Sequence, residues 1–112
     1  MIELRQFHLE NGRSPFRIWF SRLDAIAAAK VVTALSRVEA GNTSNVKALG
    51  EGVNELKINF GPGYRVYFGW DGLDLVILLG GGTKKRQGSD IRAAQRHWQD
   101  YKTRKKAAKK CH

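Results

Sequence analysis

Apolar residues in the first third of the chain repeat at helical steps. Phe16, Trp19, Phe20, Leu23, Ile26, Ala27, Val31, Ala34, Leu35 and Val38 recur at intervals of three and four. This puts them on one helix face that continues to about Ala40 and stops at Gly41-Asn42. Ser14-Pro15 supplies the start: a hydroxyl that can cap free amides, then proline at the first helical position, where no N–H is needed. The run is long for one helix of a small domain, so a break near Leu23-Asp24 into a helical hairpin fits the pattern equally well. Ahead of it, Ile2, Leu4 and Phe7 alternate with Glu3, Arg5 and Gln6 and predict a strand over residues 2–9, with a turn at Asn11-Gly12-Arg13.

The period changes to two after a polar, glycine-bearing stretch, Asn42 to Gly52, which reads as a connector. Val53–Phe60 and Tyr64–Trp70 alternate, and Leu73–Leu79 is almost continuously apolar, with Gly61-Pro62-Gly63 and Asp71-Gly72 at the junctions. Asp-Gly favours a two-residue hairpin with positive φ, so these strands form an antiparallel meander. From Gln87, Ile91, Ala94, Trp98 and Tyr101 mark a final amphipathic helix. The expected class is α+β, with one domain over residues 1–101 and a basic tail over 102–112.

Alternation also assigns faces. Leu56, Ile58 and Phe60 should lie under the helices with Tyr64, Val66 and Phe68, leaving Glu55, Lys57, Asn59, Arg65 and Tyr67 on an uncovered polar face where Lys57 neighbours Arg65. Gly80-Gly81-Gly82-Thr83-Lys84-Lys85-Arg86-Gln87 reads as a flexible segment bringing three more cations to the same end, which would form a basic concavity. Tyr64 and Tyr67 flank Arg65 and could stack on bases beside a phosphate contact, or simply belong to the core.

Charge then narrows the partners. The 112 residues carry 20 Lys and Arg against 10 Asp and Glu, a formal +10, which favours a polyanion or an acidic protein. Lys102, Arg104, Lys105, Lys106, Lys109 and Lys110 all follow Asp100, the last acidic residue, either as a solvated frayed end or as a phosphate-contacting arm. No apolar run approaches the ~20 residues of a membrane span, and the N-terminus lacks signal-peptide order, so a cytoplasmic protein is expected. The glycine triplet matches neither GxxxxGK[ST] nor GxGxxG, which argues against nucleoside triphosphate binding. His8, His97 and His112 are scattered, His97 reads as helix surface, and Cys111 has only His112 beside it. No metal site, disulfide framework or cofactor is expected.

Asn54-Glu55-Leu56-Lys57-Ile58, the string Gly61-Pro62-Gly63-Tyr64-Arg65-Val66-Tyr67-Phe68, Leu78-Leu79-Gly80-Gly81-Gly82-Thr83-Lys84, and Gln87 with Asp90-Ile91 resemble the RelE/ParE toxin superfamily. The resemblance is to its addiction module killer protein branch, near the HigB-like toxins. It implies a RelE-like fold, an N-terminal helical hairpin packed on a mainly antiparallel twisted sheet with a C-terminal helix. It also implies a type II toxin that cuts messenger RNA on the ribosome without metal, and a cognate antitoxin encoded by the adjacent gene. ParE-like members instead poison DNA gyrase on the same scaffold, and a plain nucleic-acid-binding module is a third reading. Lys57 matches a catalytic strand lysine of this family and Arg65 the arginine of its GYR string. Lys84, Lys85 and Arg86 stand where a further basic residue is expected. Glu55 replaces a second lysine and becomes an alternative base, and no tyrosine or histidine matches near the C-terminal active-site segment. Asn59, Tyr67 and Gln87 complete the expected RNA-binding surface. Such chemistry needs a base, an acid and cations around a charge-rich phosphorane, each cation contributing about 3–4 kcal/mol. The scheme requires these side chains to converge without being tied up in ion pairs inside the monomer.

Overall fold

The computed structural model describes residues 1–110, the side chain of Lys110 excepted; Cys111 and His112, and the readings that concern them, lie outside the described residues. The elements are β1 (Glu3–Gln6), α1 (Pro15–Ser21), α2 (Ala25–Glu39), β2 (Val46–Gly50), β3 (Val53–Ile58), β4 (Tyr64–Trp70), β5 (Leu75–Thr83), a short 3-10 turn at Lys84–Arg86, and α3 (Gln87–Lys110). The class is α+β.

The helical run does break where the pattern allowed. Ser14 caps α1, its hydroxyl accepting from the Arg17 amide at 3.1 Å, and Pro15 follows as the first helical residue. Asp24 caps α2 by accepting from the Ala27 amide at 2.8 Å. A carboxylate oxygen there satisfies an amide that would otherwise be orphaned, which sets the bend at residues 22–24.

The sheet order is β1-β5-β4-β3-β2, antiparallel except where β1 runs parallel to β5. β1 and β2 occupy opposite edges, so the connection through α1 and α2 must cross the whole sheet on one face. Phe16, Val31 and Val38 meet Leu56, Ile58, Val66, Phe68, Val76 and Leu78 there. Full burial of such side chains is worth about 1.5–3 kcal/mol each, so this face carries much of the stability.

Four expectations need correction. The strand over 2–9 is limited to Glu3–Gln6, because Phe7 turns into the core and pairing with β5 ends at Leu78. The connector Asn42–Gly52 contains β2, which pairs with β3 although its apolar signal is weak; an edge strand with Lys47 and Ala48 exposed has little to bury. The two-residue Asp-Gly hairpin is instead a loop over residues 71–74, with Trp70 opposite Val76 and the Asp71 amide donating to the Leu75 carbonyl. The glycine-rich segment is not an irregular loop: β5 continues through it to Thr83.

The second face of the sheet is also not uncovered. α3 lies across it, with Ala94 and Trp98 packed on Val53, Tyr67, Ile77 and Leu79, and Ile91 and Tyr101 at the margin. His97 is half-buried, its ring stacked on Phe7 at 5.1 Å. The 102–110 segment continues α3 without interruption.

Candidate functional site

The apolar packing of α3 gives out toward its N-terminus, and there the second face turns polar. Register places Lys57 directly opposite Arg65 and Arg65 opposite Gly82, across three adjacent strands. Lys57 reaches solvent, whereas Arg65 and Glu55 retain only 6% and 5% of their surface. Arg65 Nε lies 2.8 Å from Glu55 Oε1, an ion pair without the direction of a good hydrogen bond. One terminal nitrogen of Arg65 donates to the Gly63 carbonyl at 3.1 Å. Gln87, the first residue of α3, donates from Nε2 to the same Glu55 oxygen at 2.9 Å. The Glu55 carboxylate therefore ties β3, β4 and α3 together.

Gly63 connects the 3-10 turn to this cluster. Its φ of +80° is open to glycine at little cost, and its carbonyl accepts from the Lys84 amide at 3.2 Å as well as from Arg65. Lys84, Lys85 and Arg86 follow with their side chains exposed, beside the sheet end that carries Lys57. Asn59 is exposed just past β3, and Gln87 is half-buried in its bond to Glu55.

Three candidates thus differ from expectation. Arg65 is not a free cation on an open face but a buried one neutralised by Glu55, so the like-charge crowding beside Lys57 is reduced. Glu55 is committed to that pair. Tyr67 is 1% exposed and packed beneath α3, presenting no stacking surface. Among the described residues its hydroxyl has no hydrogen-bond partner, and burial first, then the Glu55 and Asp90 charges, push its pKa up to about 12 against a smaller pull from Arg65.

Around the far edge of β5 runs an open cleft of about 500 Å³, bounded by Pro15, Ile18 and Trp19 of α1, by Arg22 just past its end, and by Asp90 and His97 of α3. Its floor explains the glycine triplet. A Cβ on Gly81 would sit 2.2 Å from the Trp19 ring, and one on Gly82 2.0 Å from Asp90 Oδ2, on the opposite face. Burial raises the Asp90 pKa, partly offset by Arg86. Neither Arg22 nor Asp90, the latter among the residues that carry the resemblance, is expected from the sequence to line a cleft, and a run of glycines in a strand flanked by bulky helix residues was the available signal.

The family model "Phage derived protein Gp49-like (DUF891)" matches residues 18–109. The chain belongs to this family. An uncharacterized protein of Haemophilus influenzae is similar to it, 41% identical over 81 residues, which cover 71% of this chain and 82% of that one. The matched span of the Gp49-like model takes in Lys57, Arg65 and the Lys84–Arg86 turn. Among the described residues no helix is long and apolar enough to cross a membrane.

Proposed function

We propose that this Gp49-like chain is the toxin of a two-gene toxin–antitoxin module and that it blocks translation by cutting messenger RNA on the ribosome, in the cytoplasm. The reading rests on the strand register that sets Lys57 at the solvent edge of the second face, next to a turn carrying Lys84, Lys85 and Arg86. The RelE/ParE resemblance of the same residues supports it. In this scheme the 2′-hydroxyl attacks the adjacent phosphorus, the 5′-oxygen leaves, and no metal takes part. Lys57 exchanges a proton with the reacting oxygens, while the cations of the turn stabilise the dianionic phosphorane. Asn59 and Gln87 border the bound strand. The buried Glu55–Arg65 ion pair removes Arg65 from the free cations the scheme calls for, so the catalytic charge falls to Lys57 and the turn, and the pair serves to hold β3, β4 and α3 in register.

The test uses ribosomes stalled on a defined message, with RNA ends mapped after adding purified protein. Lys57→Ala should reduce cleavage at least about 10²-fold while the circular dichroism spectrum stays unchanged. Cleavage at the normal rate would remove Lys57 from the mechanism.

Neutralisation of Arg65 by Glu55 favours one second reading, a non-enzymatic poison of DNA gyrase, since fewer free cations then face a scissile phosphate. Expression would in that case produce DNA breaks and filamentation, and a purified translation reaction would run normally. In either reading the partner is an antitoxin encoded by the neighbouring gene, whose acidic or apolar segment covers the cationic rim.

A further inference from the structure

The cations after Asp100 are part of a rigid element. Lys102, Lys105, Lys106 and Lys109 fall at helical steps of three and four, so they line one side of α3, and all four are exposed. Like charges at such spacing oppose helix formation by a few tenths of a kcal/mol per pair. Asp71, from the loop between β4 and β5, offsets one of them by pairing with Lys105 while accepting from the Tyr101 hydroxyl. These bonds hold the Asp71 carboxyl below the usual carboxylate range, and against its one negative charge the four lysines leave the stripe net positive.

The stripe borders an aromatic wall. Trp98 and Tyr101 stack nearly parallel at 5.2 Å, the Lys102 ammonium lies 5.9 Å over the Trp98 ring, and Trp70 is half-buried beside them. Together they bound an open cleft of about 280 Å³ rimmed by the four lysines and Asp71. This site is distinct from the candidate site: Gln87 and Lys106 are 19 residues apart on one helix, about 28 Å at the rise of an α-helix.

Trp98 is buried, so Trp70 and Tyr101 are the rings of this group left partly open, and cations in a row beside them suit a chain with both phosphates and stackable faces. An anionic membrane fits less well, because α3 carries none of the large exposed apolar residues and the Asp71 loop adds a single one, Leu73. We propose that the C-terminal half of α3, with Trp70, is a docking surface for single-stranded RNA, with phosphates on Lys102, Lys106 and Lys109 and a base against Trp70. The surface anchors the strand at one end of α3, and the proposal does not depend on cleavage at the other.

The experiment is fluorescence anisotropy of a short labelled 2′-O-methyl oligoribonucleotide, which cannot be cut by 2′-hydroxyl attack, titrated with the full chain over a range of NaCl concentrations. The triple variant Lys102→Gln, Lys106→Gln and Lys109→Gln keeps good helix formers; because Lys102 also lies over the Trp98 ring, its urea midpoint is compared with that of the parent. Its affinity should fall at least about tenfold at physiological salt. Its log–log salt slope should drop by about 2, the release expected for three phosphate contacts on a single strand. Trp70→Leu should weaken binding roughly tenfold with the slope unchanged. Lys47→Gln, which removes an exposed cation from the edge strand β2, should bind as the parent does, which separates this surface from the positive charge of the chain in general. Unchanged affinity and slope in the triple variant would overturn the proposal. So would tighter binding to vesicles of anionic phospholipid, or to a polyglutamate peptide, than to the oligonucleotide. A protein that docks RNA as described yet leaves the message on stalled ribosomes uncut would sink the ribonuclease reading and leave this one standing.

Discussion

The two faces of the sheet are built on opposite plans. Beneath α1 and α2 the face is apolar from end to end, from Val76 and Leu78 on β5 across Val66 and Phe68 to Leu56 and Ile58. Beneath α3 it is divided: Val53, Tyr67, Ile77 and Leu79 hold the helix at one end, while Glu55, Arg65 and Gln87 form a buried polar knot at the other. The first face contributes stability without directional demands. The second makes three elements meet in one arrangement only, because a buried charge left without its partner is costly.

The largest expected effects test whether both plans matter to folding. Arg65→Ala leaves the Glu55 carboxylate buried and unpaired and should cost about 3–5 kcal/mol in urea unfolding. Phe68→Ala, a cavity in the apolar face, should cost a similar amount, about 3–5 kcal/mol. The two differ in rescue. Combining Glu55→Leu with Arg65→Met should recover most of the loss, since apolar pairs of similar volume often match buried ion pairs. A double variant as unstable as Arg65→Ala would mean that the Gly63 and Gln87 bonds, not the charges, hold the knot.

A middle-sized effect concerns the glycine triplet. Gly81→Ala pushes the Trp19 ring out of contact with β5 and should destabilise by about 1–3 kcal/mol, with a change in tryptophan fluorescence. An unperturbed emission spectrum would place slack in α1 that the close contact denies.

Smaller still is the alkaline response of the divided face. Tyr67 ionises near 10 when unfolded and about 12 when folded, so the stability it contributes is complete below pH 10 and is lost as pH rises toward 12. Tyr67→Phe should flatten that decline and leave neutral-pH stability equal or slightly higher, because the deleted hydroxyl has no partner among the described residues. Part of the slope should persist, as Tyr101 is likewise shifted to about 12 by burial and its bond to Asp71. The smallest change belongs to Lys105→Gln, which opens a partly exposed pair with Asp71 and should cost under about 1 kcal/mol, less at high salt.

Local rules were enough for much of the architecture. The cap at Ser14, the alternation of β3 and β4 and the start of α3 at Gln87 depend on near neighbours along the chain and could be read from residue order, whereas periodicity allowed a break near Leu23-Asp24 without locating it. So could the opposition of Lys57 and Arg65, because a short hairpin leaves little freedom of register. What lay over the second face could not be read this way. Periodicity marks α3 as amphipathic but says nothing of which surface it covers, so an apparently open face turned out to be closed over most of its length. β2 stayed hidden for a related reason, since an edge strand that buries little carries little pattern. The fate of Arg65 depended on a carboxylate ten positions away and on a glutamine at the head of a distant helix. Only the folded chain brings those charges within 3 Å, and at that distance in a dry interior they pair with each other before either can meet a substrate.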